Sequence, residues 1–173
     1  MYVIIIIGGA KQGKTPFIKD YCKESNLLVF DVQNEYGDKT KYPNQKPYNL
    51  TTNNNLARSR IIDLEVESFI ELCKQKRNTV CVFEEATMFF QGMTNDEMRK
   101  LIFGKAHTGN VIVLVFHSIN SVPPRIMEGT DFVVLFKTND EIKTVERKYI
   151  KLLKHFLELK NKKDGTHIKI KMI

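Results

Sequence analysis

Gly8-Gly9-Ala10-Lys11-Gln12-Gly13-Lys14-Thr15 decides the reading of this chain. The octet has the form G-x-x-x-x-G-K-[ST]. It lies between the β-branched run Tyr2–Ile7 and a stretch of helical spacing that begins at Lys14, the strand–loop–helix context that the motif requires. Glycines let the backbone curl so that its N–H groups point inward, and the helix that follows adds the positive end of its dipole. Such a loop suits phosphate. In that role the backbone from Gly8 to Thr15 cradles the phosphates and Lys14 neutralises β and γ oxygens. Thr15 offers a hydroxyl to Mg²⁺, an ion that otherwise keeps waters and phosphate oxygens around itself.

Outward from the loop, apolar runs alternate with helical patterns. Tyr2–Ile7 is continuous in β-branched residues and ends at Gly8-Gly9, as a strand buried on both faces does. A helix is expected from Lys14 to about Glu24, a second strand over Leu27–Asp31, and a long surface loop over Gln33–Asn55, which is rich in Asn, Lys, Tyr, Pro and Thr without a period. Glu65–Lys76 sets Val66, Phe69, Ile70 and Cys73 on one helical stripe. Thr79–Phe83 reads as a third strand. Asn95–Ala106 is helical with Met98, Leu101 and Ile102 inward, and Val111–Phe116 and Phe132–Phe136 are further strands. Glu141–Leu159 is a helix through Val145, Tyr149, Leu152, Leu153 and Phe156, and after a turn at Asp164-Gly165 the alternating His167–Ile173 is a half-exposed edge strand. This alternation predicts an α/β fold in three αβα layers around a mainly parallel sheet, with functional groups beyond the carboxyl ends of the strands. With no repeat or compositional break, residues 1–173 are expected to form one domain.

Two further strand ends carry chemistry. Val80-Cys81-Val82-Phe83-Glu84-Glu85 places two carboxylates after four apolar residues. Adjacent acids can divide the labour, with Glu84 holding the Mg²⁺ shell through water and Glu85 accepting a proton from an attacking water or positioning that water in line with the γ-phosphate. Val111–Phe116 runs into His117-Ser118, so His117 is a candidate sensor of the γ-phosphate. Alone, such a histidine reads as a hydrogen-bonded surface residue.

The formal charge of +7 is concentrated in the tail, where residues 141–173 hold ten Lys/Arg against four Asp/Glu. A basic cluster of this kind attracts a polyanion such as nucleic acid or an anionic lipid surface, or is a solvated helix face. Cys22, Cys73 and Cys81 have no paired spacing and suggest neither a disulfide framework nor a zinc site, so a reducing interior fits. The apolar run at the amino end is too short for a signal peptide or a membrane span.

Taken together, these segments resemble the FtsK–HerA superfamily of RecA-like P-loop ATPases, whose members pump or package DNA and include small packaging ATPases of membrane-containing viruses. Beside the phosphate loop and Glu84-Glu85, Val29-Phe30-Asp31-Val32-Gln33-Asn34-Glu35-Tyr36 resembles the family's second strand, which runs into an Asp and then a Glu-Tyr pair. His107-Thr108-Gly109-Asn110 through His117-Ser118 to Val122-Pro123-Pro124-Arg125-Ile126 resembles its fourth strand, terminal sensor and Pro-containing turn. The resemblance spans residues 1–136 and departs twice. His117 stands where Gln is usual, and Ala106 stands where Arg is usual, with Lys105 beside it as a compensating charge.

The resemblance implies ATP as the nucleotide, DNA as a partner, a homo-oligomer such as a hexameric ring, and a cytoplasmic protein, in the host cytoplasm if viral. It also implies an arginine reaching a neighbour's γ-phosphate, for which Arg58, Arg60, Arg99 and Arg125 are the candidates. The expected function is Mg²⁺-dependent ATP hydrolysis coupled to DNA translocation or packaging. Tyr36, Tyr42 and Tyr48, with the lysines of their loop, are candidate DNA contacts or simply pack that loop. The alternatives are a nucleotide-dependent assembly factor with slow turnover, motivated by Ala106, and a small P-loop kinase, for which no arginine-rich lid is evident. Phage morphogenesis ATPases resembling the zonula occludens toxin family are a close variant, but those generally carry a membrane span.

Overall fold

Five apolar runs from the sequence become neighbouring parallel strands in the computed structural model, which describes residues 2–33, 36, 58–61, 65–90, 96–103 and 108–172. The elements are β1 (Tyr2–Ile7), α1 (Lys14–Tyr21), β2 (Asn26–Phe30), β3 (Arg58–Ile61), α2 (Val66–Gln75), β4 (Thr79–Phe83), α3 (Ala86–Phe89), α4 (Asp96–Phe103), β5 (Val111–Phe116), α5 (Pro124–Glu128), β6 (Phe132–Phe136), α6 (Ile142–Lys160) and β7 (His167–Lys171). The sheet has the order β3-β2-β4-β5-β1-β6-β7. Every pairing is parallel except β6 with β7. Strands covered on both faces must be apolar on both, and the central ones are: Val3, Ile5 and Ile7 have no exposed surface, and Ile4 and Ile6 are 4% and 2% exposed.

The pleat divides these side chains between two cores. Ile4 and Ile6 of β1, with Val80, Val82, Val113, Val115 and Val134, pack with Ile18 of α1. Val3, Ile5 and Ile7 turn the other way and join residues of α2, α4, α5 and α6. Each such aliphatic side chain contributes roughly 1.5–3 kcal/mol by leaving water. The second core is anchored by phenylalanines. Phe69 of α2 stacks on Phe30 with ring centroids 4.9 Å apart and meets the edge of Phe83 at 4.8 Å. The result is the three-layer αβα arrangement that the alternation of elements predicts.

Several boundaries differ from expectation. α1 stops at Tyr21, because the apolar positions end at Cys22 and the Lys23 N–H turns back to the Asp20 carbonyl in a tighter turn. α6 is interrupted at Tyr149, whose backbone is non-helical (φ −145°, ψ 66°) while its hydroxyl donates to the Val122 carbonyl at 2.5 Å. Strand β3 and the short helices α3 and α5 carry no signal long enough for periodicity to reveal. β7 takes the expected edge position with alternating exposure through Lys171. The three cysteines are buried and free. Among the described residues, no helix is long and apolar enough to cross a membrane.

Phe69 is the test of this packing. Phe69→Ala removes a fully buried ring from between Phe30 and Phe83 and is expected to cost about 3–5 kcal/mol in denaturant-induced unfolding.

Candidate active site

The polar residues that follow β1, β4 and β5 converge because those strands are parallel neighbours, so their carboxyl ends open on one edge of the sheet. The loop after β1 is tied to the strands on both sides: the Gly8 N–H donates to the Phe116 carbonyl at 3.0 Å and the Gly9 N–H to the Lys137 carbonyl at 2.9 Å. Gly8 approaches β6 so closely that a Cβ there would lie 2.7 Å from the Cβ of Phe136. Gly13 has φ 86°, the left-handed region that glycine adopts without strain, and turns the loop into α1. Pro16 falls in the first turn of α1, where a missing N–H costs nothing. Lys14 is 8% exposed, and its ammonium donates to the Gly8 and Gly9 carbonyls at 2.7 and 2.9 Å.

One cavity of about 360 Å³ is lined by Ala10 through Pro16 together with Gln33, Glu84, Glu85 and His117. The structure therefore brings together most of the residues that the sequence singles out, with Gly8 and Gly9 forming the strand-side base of the same loop. Glu84 and Glu85 are 6% and 7% exposed, yet they face different partners. Glu85 lies against His117, whose Nε2 is 2.8 and 3.0 Å from its two carboxylate oxygens. With its proton on Nε2, the imidazole donates to that carboxylate. The His117 backbone N–H is held in turn by the Thr87 hydroxyl at 3.1 Å.

Glu84 accepts a 2.5 Å hydrogen bond from the Tyr36 hydroxyl. Burial, followed by the Glu84 carboxylate, pushes the Tyr36 phenol well above its ordinary range, so it remains a donor. The Tyr36 N–H donates to Asp31 Oδ2 at 3.0 Å, and the same oxygen accepts from Arg60 at 3.1 Å. Sequence reasoning missed this network. The signal was the Asp immediately after β2, which parallel pairing of Phe30 with Phe83 sets beside Glu84.

Two expectations change accordingly. Arg60 is 1% exposed and pairs with Asp31 inside its own subunit, so it is not an arginine presented to a neighbour. Tyr36 is 8% exposed and packs inward rather than forming a nucleic-acid contact. Arg99 and Arg125 are exposed and pair with Asp96 and Glu128 one turn away on their own helices. The side chain of Arg58, and residues Tyr42, Tyr48, Lys105 and Ala106, lie outside the described residues.

The turn between α6 and β7 also reaches the phosphate loop, a contact with no sequence signal. Asp164 forms a 3.1 Å ion pair with Lys137, just past β6, and a hydrogen bond with Gln12. Lys137 first, then Gln12, holds the Asp164 carboxyl below its usual value. Among the described residues no group of three or more His, Cys, Asp or Glu side chains is placed to hold a metal ion. Thr15 and Glu84 both line the cavity. That sparse, all-oxygen set fits Mg²⁺, which is usually held by one or two protein oxygens with phosphates and waters.

No protein-family model and no curated protein matches the sequence. Solved structures do. The genome packaging NTPase B204 from Sulfolobus turreted icosahedral virus 2, in complex with ATP-gammaS, superposes with a TM-score of 0.74 at 16% identity, covering 98% of this chain and 91% of that one. The DNA-packaging ATPase B204 from Sulfolobus turreted icosahedral virus gives a TM-score of 0.72 at 16% identity over 98% and 92%. The N-terminal domain of zonular occludens toxin from Neisseria meningitidis gives 0.52 at 13% identity over 80% and 78%. The chain thus shares the three-layer αβα fold of these structures.

Proposed function

We propose that this protein is a Mg²⁺-dependent ATPase that couples hydrolysis to the packaging or translocation of DNA, through the site formed by Gly8–Thr15, Glu84, Glu85 and His117. The observation that carries the proposal is the convergence of Lys14, Glu84, Glu85 and His117 on one cavity beside the glycine loop. The likeness to B204 supports it, since one of those structures was solved with ATP-gammaS and the protein is described as a genome packaging NTPase.

Backbone N–H groups of the loop from Ala10 to Thr15, which line the cavity, and the N-terminal end of α1 would bind the phosphates, with Gly8 and Gly9 anchoring that loop to the neighbouring strands. The Lys14 ammonium would exchange its carbonyl partners for β and γ oxygens. Thr15 and Glu84 would hold Mg²⁺, which would supply positive charge against the charge that develops on the phosphates. Glu85 is the base that takes a proton from the attacking water. Its contact with His117 keeps the carboxylate oriented, and His117 is placed to exchange that contact for the γ-phosphate. Two carboxylates beside the loop suit activation of water better than transfer to a bound acceptor.

The DNA half of the proposal is supported by the exposed basic side chains of Lys143, Arg147, Lys151 and Lys154 on α6 and of Lys169 and Lys171 on β7. Assembly as a homo-oligomer and a cytoplasmic location follow from the same reading. Arg99 and Arg125 remain candidates for an arginine presented to a neighbouring subunit.

Lys14→Ala is expected to weaken ATP binding roughly ten- to hundredfold by calorimetric titration, the loss of a charged hydrogen-bond donor. Glu85→Gln should still bind ATP and lose turnover by roughly 10²–10⁴. Steady-state hydrolysis with and without double-stranded DNA tests the whole proposal: stimulation that vanishes in Glu85→Gln supports it, and slow, DNA-insensitive turnover would favour a nucleotide-dependent assembly factor. Replacing Lys143, Arg147 and Lys154 together by Ala should lower DNA affinity and flatten its dependence on salt, by roughly one unit of slope for each phosphate no longer neutralised.

A further inference from the structure

At the carboxyl edge of the sheet, the Tyr36 hydroxyl touches the proposed metal carboxylate without lining the cavity. We infer that Tyr36 is a positioning residue that fixes the orientation of Glu84 toward Mg²⁺, an inference that rests on the function proposed above. A carboxylate that serves a hydrated cation must present its oxygen in one place, and a lone glutamate after a strand is free to rotate about its side-chain torsions. The 2.5 Å bond to Oε1 removes that freedom, because once one oxygen is pinned the position of the other is set. Groups that orient a metal ligand in this way influence affinity without touching the metal.

The donor is itself held from two strands, β2 and β3. Tyr36 is anchored through its backbone N–H to Asp31, at the end of β2, and Asp31 is fixed by Arg60 of β3. β2 pairs with β3 at Phe30–Ile61 and with β4 at Phe30–Phe83, so Asp31 lies directly between the strand carrying Arg60 and the strand that delivers Glu84. Asp31 and Arg60 are 0% and 1% exposed, and a buried ion pair of this kind is held rigidly because loosening it exposes two unpaired charges. The phenol ring has its own place, with the Lys19 ammonium 5.1 Å from its centroid. A phenylalanine would fill that volume and lack only the hydroxyl.

The test measures metal binding rather than turnover. Mn²⁺ affinity is read by electron paramagnetic resonance in the presence of the non-hydrolysable analogue AMPPCP, and AMPPCP affinity is read separately in EDTA. The proteins are wild type, Tyr36→Phe, Glu84→Gln and the double variant. Tyr36→Phe is expected to weaken Mn²⁺ roughly tenfold while leaving metal-free AMPPCP affinity near wild type. In the Glu84→Gln background the same change should add little, since the oxygen it orients is gone. Wild-type Mn²⁺ affinity in Tyr36→Phe, alongside a loss in Glu84→Gln, overturns the role of Tyr36 alone. An equal loss of AMPPCP affinity in EDTA overturns it too, by showing a general structural effect. Undiminished Mn²⁺ affinity in Glu84→Gln overturns the metal assignment itself, and with it the function on which the inference rests.

Discussion

The parallel pairing of β1 between β5 and β6 holds the whole site in place. Register sets Ile7 opposite Phe116 and Leu135, so the three strands end within one residue of each other and the loop leaves β1 with a neighbour on each side. The two hydrogen bonds from Gly8 and Gly9 continue the ladder past the strand and fix the loop before it turns. β4 joins the same edge through its pairing with β5, at Phe83 and Leu114, which brings Glu84 and Glu85 to the loop from one side. A slip of one residue in any of these pairings would send the apolar side chains to the wrong core and the polar ones away from the cavity.

That edge concentrates buried charge, which a fold tolerates only when each group is paired. The pairing here is systematic. Arg60 answers Asp31, Tyr36 answers Glu84, His117 answers Glu85, and Lys14 is held by two carbonyls of its own loop. Apolar residues often stabilise such positions as well, so stability alone does not account for this concentration of polar groups.

Much of this was legible in the sequence because its signals are local. The glycine loop, the two adjacent glutamates and the histidine each follow an apolar run, and a run of β-branched residues without alternation implies a strand covered on both faces. The alternation of strands with helices was enough for the three layers. What was not legible depends on partners distant in sequence. Arg60 read as an exposed cation because its partner Asp31 is 29 residues away and β3 is too short to show a period. Tyr36 read as a loop aromatic because nothing local reveals a carboxylate 48 residues on. The contact of Asp164 with Lys137 and Gln12 has the same origin: a turn after a long helix returns to the loop only once the sheet order is known. The likeness to B204 at 16% identity over 98% of the chain makes the same point, since a fold fixed by layer packing survives replacement of most of its residues.

If the edge works as described, one nucleotide places its γ-phosphate among Lys14, Glu85 and His117. A crystal structure with Mg²⁺ and AMPPCP would decide this. The β- and γ-phosphates are expected on the backbone of the loop from Ala10 to Thr15, with the Lys14 ammonium within about 3 Å of their oxygens and a water facing Glu85 in line with the terminal phosphate. A nucleotide bound elsewhere, or one whose terminal phosphate points away from Glu85, would refute this arrangement.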